Sequence, residues 1–297
     1  MAGCAPSGDE TVGEQEWQQV KSKERISHPI FKKLCIASGE VNNLSKPEIK
    51  DRLKTLGLAS KGDHHVLHQR LKNHLHRAII GAEKDCPAEA SRPANPLNLD
   101  YLIIIDFEAT CREDCPDDWL YEIIEFPAIL LNVHTLKVDD TFHSYCKPVL
   151  EPKLTKFCKQ LTHITQEQVD SSPTFPDVFR NFQQWMEDKE LGTKHQFLLV
   201  TDSPWDIRSC LYPQCVLTSV TLPSYARSWI DMRKLFSKLY HLPKGNIGKM
   251  LELLALKFVG QPHSGIDDAK NICRIMCRMI QDGCTLVPNC TCDTPVK

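Results

Sequence analysis

The sequence lacks the features that define several classes of protein. It has no apolar run close to the about 18 residues that a membrane-spanning helix needs. Its 13 Gly and 19 Pro in 297 residues exclude a collagen-like or wholly disordered chain. Its 14 Cys lack the paired spacing of a zinc finger. The first residues, MAGCAPSGDETVGEQEW, are polar and acidic, unlike a signal peptide. We therefore expect an intracellular globular protein that has no membrane partner.

The sequence also has almost no net charge, since 36 Lys and Arg face 38 Asp and Glu. Proteins that bind nucleic acids usually carry a basic excess, so the total at first argues against such a partner. The charge is distributed unevenly, however. Residues 44–80 contain eight basic and three acidic side chains, a balance of +5, which leaves −7 for the rest of the chain.

Residues 44–80 have the pattern of two short helices around a tight turn. Ser45 and Glu48 fit a capping box, Pro47 suits a first helical turn, and apolar residues recur at helical spacing. The basic side chains have two interpretations: an ordinary solvated helix face, or an electrostatic surface for phosphates. The candidate phosphate contacts are Lys54, Lys61, Arg70, Lys72 and Arg77.

This unit resembles a known nucleic-acid-binding module. The residues that carry the resemblance are Leu53-Lys54, Leu56-Gly57-Leu58, Gly62 and the segment LHQRL at 67–71. They are similar to the SAP helix–extended–helix module, which binds nucleic acids through basic helices. The resemblance implies that residues 44–80 supply phosphate contacts to a nucleic-acid partner.

Changes in composition divide the chain into five predicted segments. We expect a mostly disordered tail over residues 1–43, the SAP module over 44–80 and a linker rich in Ala, Pro and Asn over 81–99. An α/β domain over 100–283 and a C-terminal tail over 284–297 complete the chain.

Residues 100–283 alternate between strand-like and helix-like patterns. The candidate strands are YLIIIDFEA, IIEFPAILLN, FHSYCKP, FLLVT and SWIDM. The candidate helices are FPDVFRNFQQWMED, PWDIRSCLY, IGKMLELLALK and DAKNICRIMCRMIQD. Three early strands followed by helix, strand and helix predict a mixed sheet that helices cover on both faces.

Four acids and one histidine in this domain stand at the ends of predicted elements. Asp106 and Glu108 close the first strand, where residues i and i+2 point to the same face. Asp206 follows the strand FLLVT, Asp268 opens the last helix, and His263 precedes it by five residues. Each alone has an ordinary explanation, such as an N-cap. Together they suit phosphodiester hydrolysis, in which carboxylates hold divalent ions and a histidine takes a proton from water.

The motifs IDFEATC, VTDSPWD and HSGIDDAKN, in this order, resemble those of the DEDDh exonucleases. The resemblance covers about residues 101–283 and implies a ribonuclease H-like fold. It implies that two Mg²⁺ ions, or Mn²⁺ in their place, are bound by Asp106, Glu108, Asp206 and Asp268. It also implies that His263 is the general base.

The same resemblance implies further roles at the substrate. Glu108 has an additional acid/base role, and Glu108, Ala109 and His263 touch the terminal nucleotide. Trp205 packs near that nucleotide, although a plain core tryptophan is an equally good interpretation of this residue.

With a basic module upstream, the resemblance implies a 3′→5′ exoribonuclease that acts on structured RNA with a short single-stranded 3′ end. The implied substrates are histone mRNA stem-loops, 5.8S ribosomal RNA and small interfering RNA, and the products are nucleoside 5′-monophosphates. Histone stem-loop-binding protein and the ribosome are implied partners, and the implied location is the cytoplasm and the nucleus with its nucleolus. Two alternatives remain open: a DNA 3′–5′ exonuclease of the same superfamily, and a non-catalytic RNA-binding adaptor.

At two positions the chain departs from the family pattern. Ser203-Pro204 precede Trp205 where relatives generally carry a turn with Gly, and Pro204 also suits a first helical turn. His163 stands where the family usually has Gly in a substrate-facing loop. If that position needs a positive φ, a histidine there is strained.

Overall fold

The computed structural model describes residues 29–83, 95–116 and 119–292. These residues fall into two compact units. The first contains the described residues up to Ser60 together with those from Arg70 to Glu83, and the second contains Lys61–Gln69 and everything from residue 95 onward. Apart from the two predicted tails, the predicted segments stay predictions. Residues 1–28, 84–94 and 293–297, which belong to the predicted tails and linker, lie outside the described residues.

The N-terminal part of the described chain contains helices α1 (Pro29–Asn42), α2 (Lys46–Thr55) and α3 (His64–Glu83). Helix α1 lies within the stretch that we expected to be a mostly disordered tail. That expectation is therefore wrong for residues 29–42, where Ala37 and Val41 are buried and give the helix an apolar face.

Helix α2 begins and ends as its sequence predicts. The Ser45 N–H donates a hydrogen bond to the Glu48 carboxylate over 2.7 Å, which confirms the capping box. After the helix, Gly57 has φ +67°, and the next N–H bonds back to the carbonyl of Leu53 over 2.8 Å. Glycine is needed here because a side chain disfavours this left-handed conformation.

The second unit is built on one mixed sheet. Its strands are β1 (Tyr101–Ile105), β2 (Glu108–Ala109), β3 (Ile123–Asn132), β4 (Val138–Tyr145), β5 (Phe197–Thr201), β6 (Ser228–Asp231) and β7 (Cys290–Thr291). The order across the sheet is β2-β3-β1-β5-β6-β7, and β4 pairs with β3. Strand β1 is antiparallel to β3 and parallel to β5. This arrangement confirms the predicted α/β class with a ribonuclease H-like sheet.

Seven α-helices of this unit follow in chain order. They are α4 (Lys156–Thr162), α5 (Gln166–Asp170), α6 (Phe175–Asp188), α7 (Tyr212–Leu217), α8 (Met232–Tyr240), α9 (Ile247–Leu253) and α10 (Gly265–Gln281). A π-helix spans Asp206–Leu211, and a 3₁₀ turn spans Ser224–Arg227. Within the described residues, none of the helices has both the length and the apolar character that crossing a membrane requires.

The sheet is covered on both faces because the side chains of β1 alternate. Leu102 and Ile104 belong to one apolar cluster, which also contains residues of α8 and α10. Ile103 belongs to a second cluster with Phe179 and Phe182 of α6. Since successive residues of a strand point to opposite faces, the run of apolar residues predicts this double burial. It also places β1 in the interior of the sheet, with the chain that follows it leading to the acids.

The chain after α10 does not form the tail that we expected from residue 284. Instead, β7 pairs antiparallel with β6, and Cys284, Cys290 and Cys292 are buried. The expectation is wrong because this segment covers the outer edge of β6. It does so with only two paired residues, too few for a periodic pattern to show in the sequence.

The Asn289 side chain connects this C-terminal segment to β6 by hydrogen bonds. Its replacement by Ala tests how much these bonds stabilise the protein. Its side chain accepts a hydrogen bond from the N–H of the buried Asp231 over 2.7 Å and donates to the same residue's carbonyl over 3.0 Å. Two unsatisfied buried backbone groups cost about 1–3 kcal/mol each. We expect Asn289→Ala to lower the Tm by several degrees in a thermal melt. The control Gln184→Ala removes an exposed hydrogen bond to Asp188 and leaves the Tm nearly unchanged. Equal Tm values for Asn289→Ala and wild type would contradict this account.

Candidate active site

Three of the predicted acids meet where β1 ends. Asp106 and Glu108 follow β1 and point to the same side of the sheet, as their spacing predicts, while Phe107 packs into the opposite core. Asp268 comes from the first turn of α10. Each of the three acids offers a carboxylate oxygen, and these oxygens all lie within 4.8 Å of one another. The cluster therefore joins two parts of the chain that are far apart in sequence.

Asp206, in the chain that follows β5, lies beside these three acids. Strands β1 and β5 are parallel, so their carboxyl ends lie side by side, and Asp206 is the first residue of the π-helix that follows β5. Asp206 is 3% exposed, and its carboxylate accepts a hydrogen bond from the Phe107 N–H over 3.0 Å.

Pro204 fits the turn that leads into the π-helix. Its carbonyl accepts the Arg208 N–H over 2.9 Å, so the proline is accommodated there.

A cavity of about 590 Å³ lies over these acids. Every residue that we predicted to bind metal, nucleotide or the reacting water lines it: Asp106, Glu108, Ala109, Trp205, Asp206, His263 and Asp268. Their positions confirm that the strand ends and the start of α10 come together. The chemical role of each residue stays a prediction.

The acids repel one another and are shielded from water, and both effects oppose ionisation. Burial, followed by the charge of Glu125, raises the pKa of Glu108 to about 9. Burial likewise raises the pKa of Asp206 to about 7 and that of Asp268 to about 6. Burial and the neighbouring carboxylates raise the pKa of Asp106 well above its ordinary value. Such a group of like charges is unfavourable unless a cation lies among them. Clustered carboxylate oxygens are the ligands that hard divalent cations prefer, so the donor set fits such an ion.

His263 is held beside Asp268 through its backbone. Its N–H donates to the Asp268 carboxylate over 2.8 Å, and its φ of +61° places it in the left-handed region. The side chain is exposed and lines the cavity. Its ring is therefore accessible to a substrate or a water molecule at the acids.

Trp205 and Tyr121 form an aromatic wall of the cavity. Their ring centroids are 5.2 Å apart in an edge-to-face arrangement, and Trp205 is 37% exposed. This exposure shows that the interpretation of Trp205 as a plain core residue is wrong. Contact of Trp205 with a nucleotide stays a prediction.

His163 has the strained conformation that its replacement of a family glycine suggested. It ends α4 with φ +62°, in the left-handed region, where a residue other than Gly is costly. Its ring nitrogen Nε2 lies 2.9 Å from Nε2 of Gln261, in the loop that leads to His263. This histidine therefore makes a contact that a glycine at the same place lacks.

The sequence did not lead us to two charged residues of the cavity. Asp202 directly follows β5 and is buried, and Arg233 at the start of α8 donates to it from Nε over 2.9 Å. The position of Asp202 was a usable signal, because β1 and β5 are parallel and each is followed by an aspartate at the same sheet edge. Arg233 carried no such signal, since nothing near it in sequence shows its partner.

The five predicted phosphate contacts differ in their exposure. Arg70 is 2% exposed and donates to the Ala59 carbonyl over 2.6 Å, so its guanidinium stabilises a turn. The prediction that Arg70 binds phosphate is therefore wrong. Lys54 and Lys61 are exposed, with Lys54 paired to Asp51 over 3.1 Å, whereas Lys72 and Arg77 are half-buried. Phosphate binding by these four exposed and half-buried cations stays a prediction.

Known proteins resemble this chain along most of its length. Residues 103–276 match the exonuclease family RNase_T. The 3′-5′ exoribonuclease 1 of Homo sapiens is 41% identical over 285 residues, which cover 95% of this chain and 79% of the relative. A structure described as 3′-end specific recognition of histone mRNA stem-loop by a 3′-exonuclease is 40% identical, with a TM-score of 0.67. It covers 91% of this chain and 92% of that one.

A second similar structure covers the α/β unit. It is the nuclease domain of 3′hExo, described as a DEDDh family member, bound to rAMP. It is 47% identical with a TM-score of 0.64, and the match covers 65% of this chain and 98% of that one.

The repulsion among the acids predicts opposite responses of stability in two conditions. In EDTA, Asp106→Asn removes a carboxyl group whose ionisation the folded state opposes, a cost to the free energy of unfolding. We expect its Tm to exceed that of wild type by about 2–4 °C, which corresponds to about 1 kcal/mol. In excess MnCl₂, wild type gains stability through binding and the variant gains much less. The surface variant Asp177→Asn, which weakens an exposed ion pair with Arg180 and a hydrogen bond from Thr174, serves as the control in both melts. Equal gains with Mn²⁺ for wild type and Asp106→Asn would show that the acids do not hold the ion.

Proposed function

The chain belongs to the exonuclease family RNase_T and, within it, to the 3′-5′ exoribonucleases, and from this premise we propose that it trims structured RNA with a short single-stranded 3′ end. The products are nucleoside 5′-monophosphates. The proposal rests mainly on the cavity over the acids. Carboxylate oxygens of Asp106, Glu108 and Asp268 lie there within 4.8 Å of one another, and Asp206 and His263 also line the cavity.

The four acids are the proposed ligands of two Mg²⁺ ions, which Mn²⁺ can replace. When bound, such ions neutralise the charge on the attacking and leaving oxygens of a phosphodiester. The carboxylates hold the ions. The hydrogen bond from the Phe107 N–H fixes the orientation of the Asp206 carboxylate. Because the acids that converge here offer oxygen donors, the site suits hard cations better than soft ones.

The remaining cavity residues act on water and on the terminal nucleotide. The His263 ring takes a proton from the attacking water, a role that histidine side chains often have in catalysis. Glu108, which has a raised pKa, exchanges protons with the same groups. Ala109 and Trp205 contact the terminal nucleotide, and the exposed indole beside Tyr121 gives its base an aromatic surface.

The basic N-terminal residues are the proposed contact for the duplex part of the RNA. A-form RNA is recognised mainly by its shape, phosphates and 2′-hydroxyls, so a set of exposed lysines suits this task. The similar structure described as recognising a histone mRNA stem-loop supports a stem-loop as one substrate. We propose 5.8S ribosomal RNA and small interfering RNA as others, histone stem-loop-binding protein and the ribosome as partners, and a location in cytoplasm and nucleus.

A degradation assay tests the chemistry. End-labelled RNA and DNA hairpins with matched 3′ overhangs are incubated with Mg²⁺ and wild type, Asp106→Ala or His263→Ala. We expect wild type to shorten RNA from its 3′ end faster than DNA. Loss of His263 slows the reaction by about 10²–10⁴-fold, as for other general bases. Loss of Asp106 abolishes it because the ions are no longer held.

A matched measurement separates the roles of these two residues. His263→Ala keeps the increase in Tm that Mn²⁺ produces, since the histidine is not a proposed ligand, whereas Asp106→Ala loses it. Asp177→Ala on the surface of α6 keeps full activity. Absence of 3′ shortening by wild type, or equal rates for wild type and Asp106→Ala, would refute the proposed site. Faster shortening of DNA would favour the DNA exonuclease.

A binding assay tests the duplex contact. The double variant Lys54→Glu/Lys72→Glu weakens binding of an RNA hairpin and lowers the slope of log affinity against log salt by about 1 for each lost phosphate contact. Degradation of a short single strand changes little. The charge-matched control Lys153→Glu/Lys194→Glu changes neither, because both lysines lie on the second unit as exposed partners of acids. If hairpin binding and single-strand degradation fall by the same factor, the result would count against a duplex contact in residues 44–80.

A further inference from the structure

Helix α10 begins without a cap from its own sequence. Ser264 precedes its first residue, and the Ser264 side chain makes no capping hydrogen bond. The first N–H groups of a helix have no partner within the helix, and leaving them unsatisfied in a buried place is costly. Here a distant residue supplies the acceptors: Glu125 of β3 accepts the N–H of Gly265 over 2.9 Å and that of Ile266 over 3.1 Å.

Glu125 is unusual in its own surroundings. It lies in the apolar strand β3 and is 1% exposed. Besides the two helix N–H groups, it contacts Nε2 of His143 on β4 over 2.8 Å. A buried carboxylate is stable only when its oxygens are hydrogen-bonded, and a helix N-terminus favours a negative charge. The three contacts meet both conditions, so the buried Glu125 carboxylate is stabilised where it lies, at the start of α10.

The place where Glu125 holds α10 is directly beside the acids. Glu125 is the register partner of Glu108 in the pairing of β2 with β3. A Cβ added to Gly265 would lie 2.5 Å from the Asp106 carbonyl oxygen, so the helix start touches the end of β1 with no space between them. Three residues further along α10 is Asp268, whose carboxylate accepts the His263 N–H.

We propose that Glu125 is a positioning residue for the exonuclease reaction: by accepting the N–H groups of Gly265 and Ile266, it holds Asp268 and His263 in place against Asp106 and Glu108. The proposal rests on the proposed roles of those four residues. Glu125 is not a proposed ligand of the ion and is not among the residues that line the cavity. It acts by fixing the distance between two elements, β1 and α10, that carry different parts of the site.

The conservative variant Glu125→Gln tests this role. Its amide oxygen still accepts one helix N–H, but its NH₂ group is a donor and faces another donor, so one N–H at the start of α10 loses its acceptor. Misplacement of catalytic groups by about 1 Å costs about 100-fold in rate. We expect kcat on an RNA hairpin to fall by about that factor while KM changes less than about threefold.

Two readouts other than activity distinguish positioning from a general loss of stability. Hydrogen exchange of the peptide that contains Gly265–Asp268 accelerates in Glu125→Gln, while exchange in β5 stays as in wild type. The affinity for Mn²⁺, measured by titration calorimetry, falls by about tenfold, as for other residues that orient metal ligands. The milder variant His143→Ala keeps both helix contacts of Glu125 and produces a smaller change in each readout.

Asp282→Asn is the matched control. Asp282 is a buried carboxylate at the other end of α10, 2% exposed, and it accepts the Tyr240 hydroxyl over 2.6 Å. Its amide variant lowers the Tm but keeps kcat and Mn²⁺ affinity within twofold of wild type. If Glu125→Gln changes kcat no more than Asp282→Asn does, or leaves exchange at Gly265–Asp268 unchanged, the positioning role is refuted. An inactive wild type would instead refute the proposed function itself.

Discussion

Repulsion between carboxylates is the constraint on which the rest of the α/β unit depends. Asp106, Glu108 and Asp268 lie within 4.8 Å of one another, and Asp206 adds a fourth charge beside the end of β1. Without a cation this arrangement opposes folding, so the scaffold has to hold it by other means. It does so with a strand in the interior of the sheet, buried on both faces, and with helices packed on each side. The apolar cores thus stabilise the unit against the cost of its own site.

Local pattern was enough to predict the parts of the site that depend on short spacing. Asp106 and Glu108 share a face because a strand repeats every two residues, and the strand β5 and helix α6 have the bounds that their patterns predict. The order of the three acidic motifs then indicated that separate elements meet. The sequence also predicted the capping box of α2, because its two partners are three residues apart.

The parts that were wrong or missed depend on contacts between distant residues. Arg70 has the charge of a phosphate contact, but its exposure is decided by the fold around Ala59. Strand β7 is too short to show a period, and it exists because β6 offers an unpaired edge. Glu125 did leave a signal, a charged residue in an apolar strand, yet its partners are backbone N–H groups that carry no side-chain pattern. Periodicity cannot identify such partners.

The contact between Glu125 and α10 has a consequence for the order in which the protein is made. On the ribosome, β3 emerges long before Gly265, which is 140 residues further along the chain. Of its partners among the described residues, the Glu125 carboxylate has His143 alone until then, and burying it in the sheet is unfavourable. The Glu125 carboxylate therefore gains its two bonds from helix N–H groups only after the helix that brings Asp268 has been synthesised. A partly made chain consequently lacks a complete acidic site, so hydrolytic capacity arises only when synthesis of the domain is nearly finished.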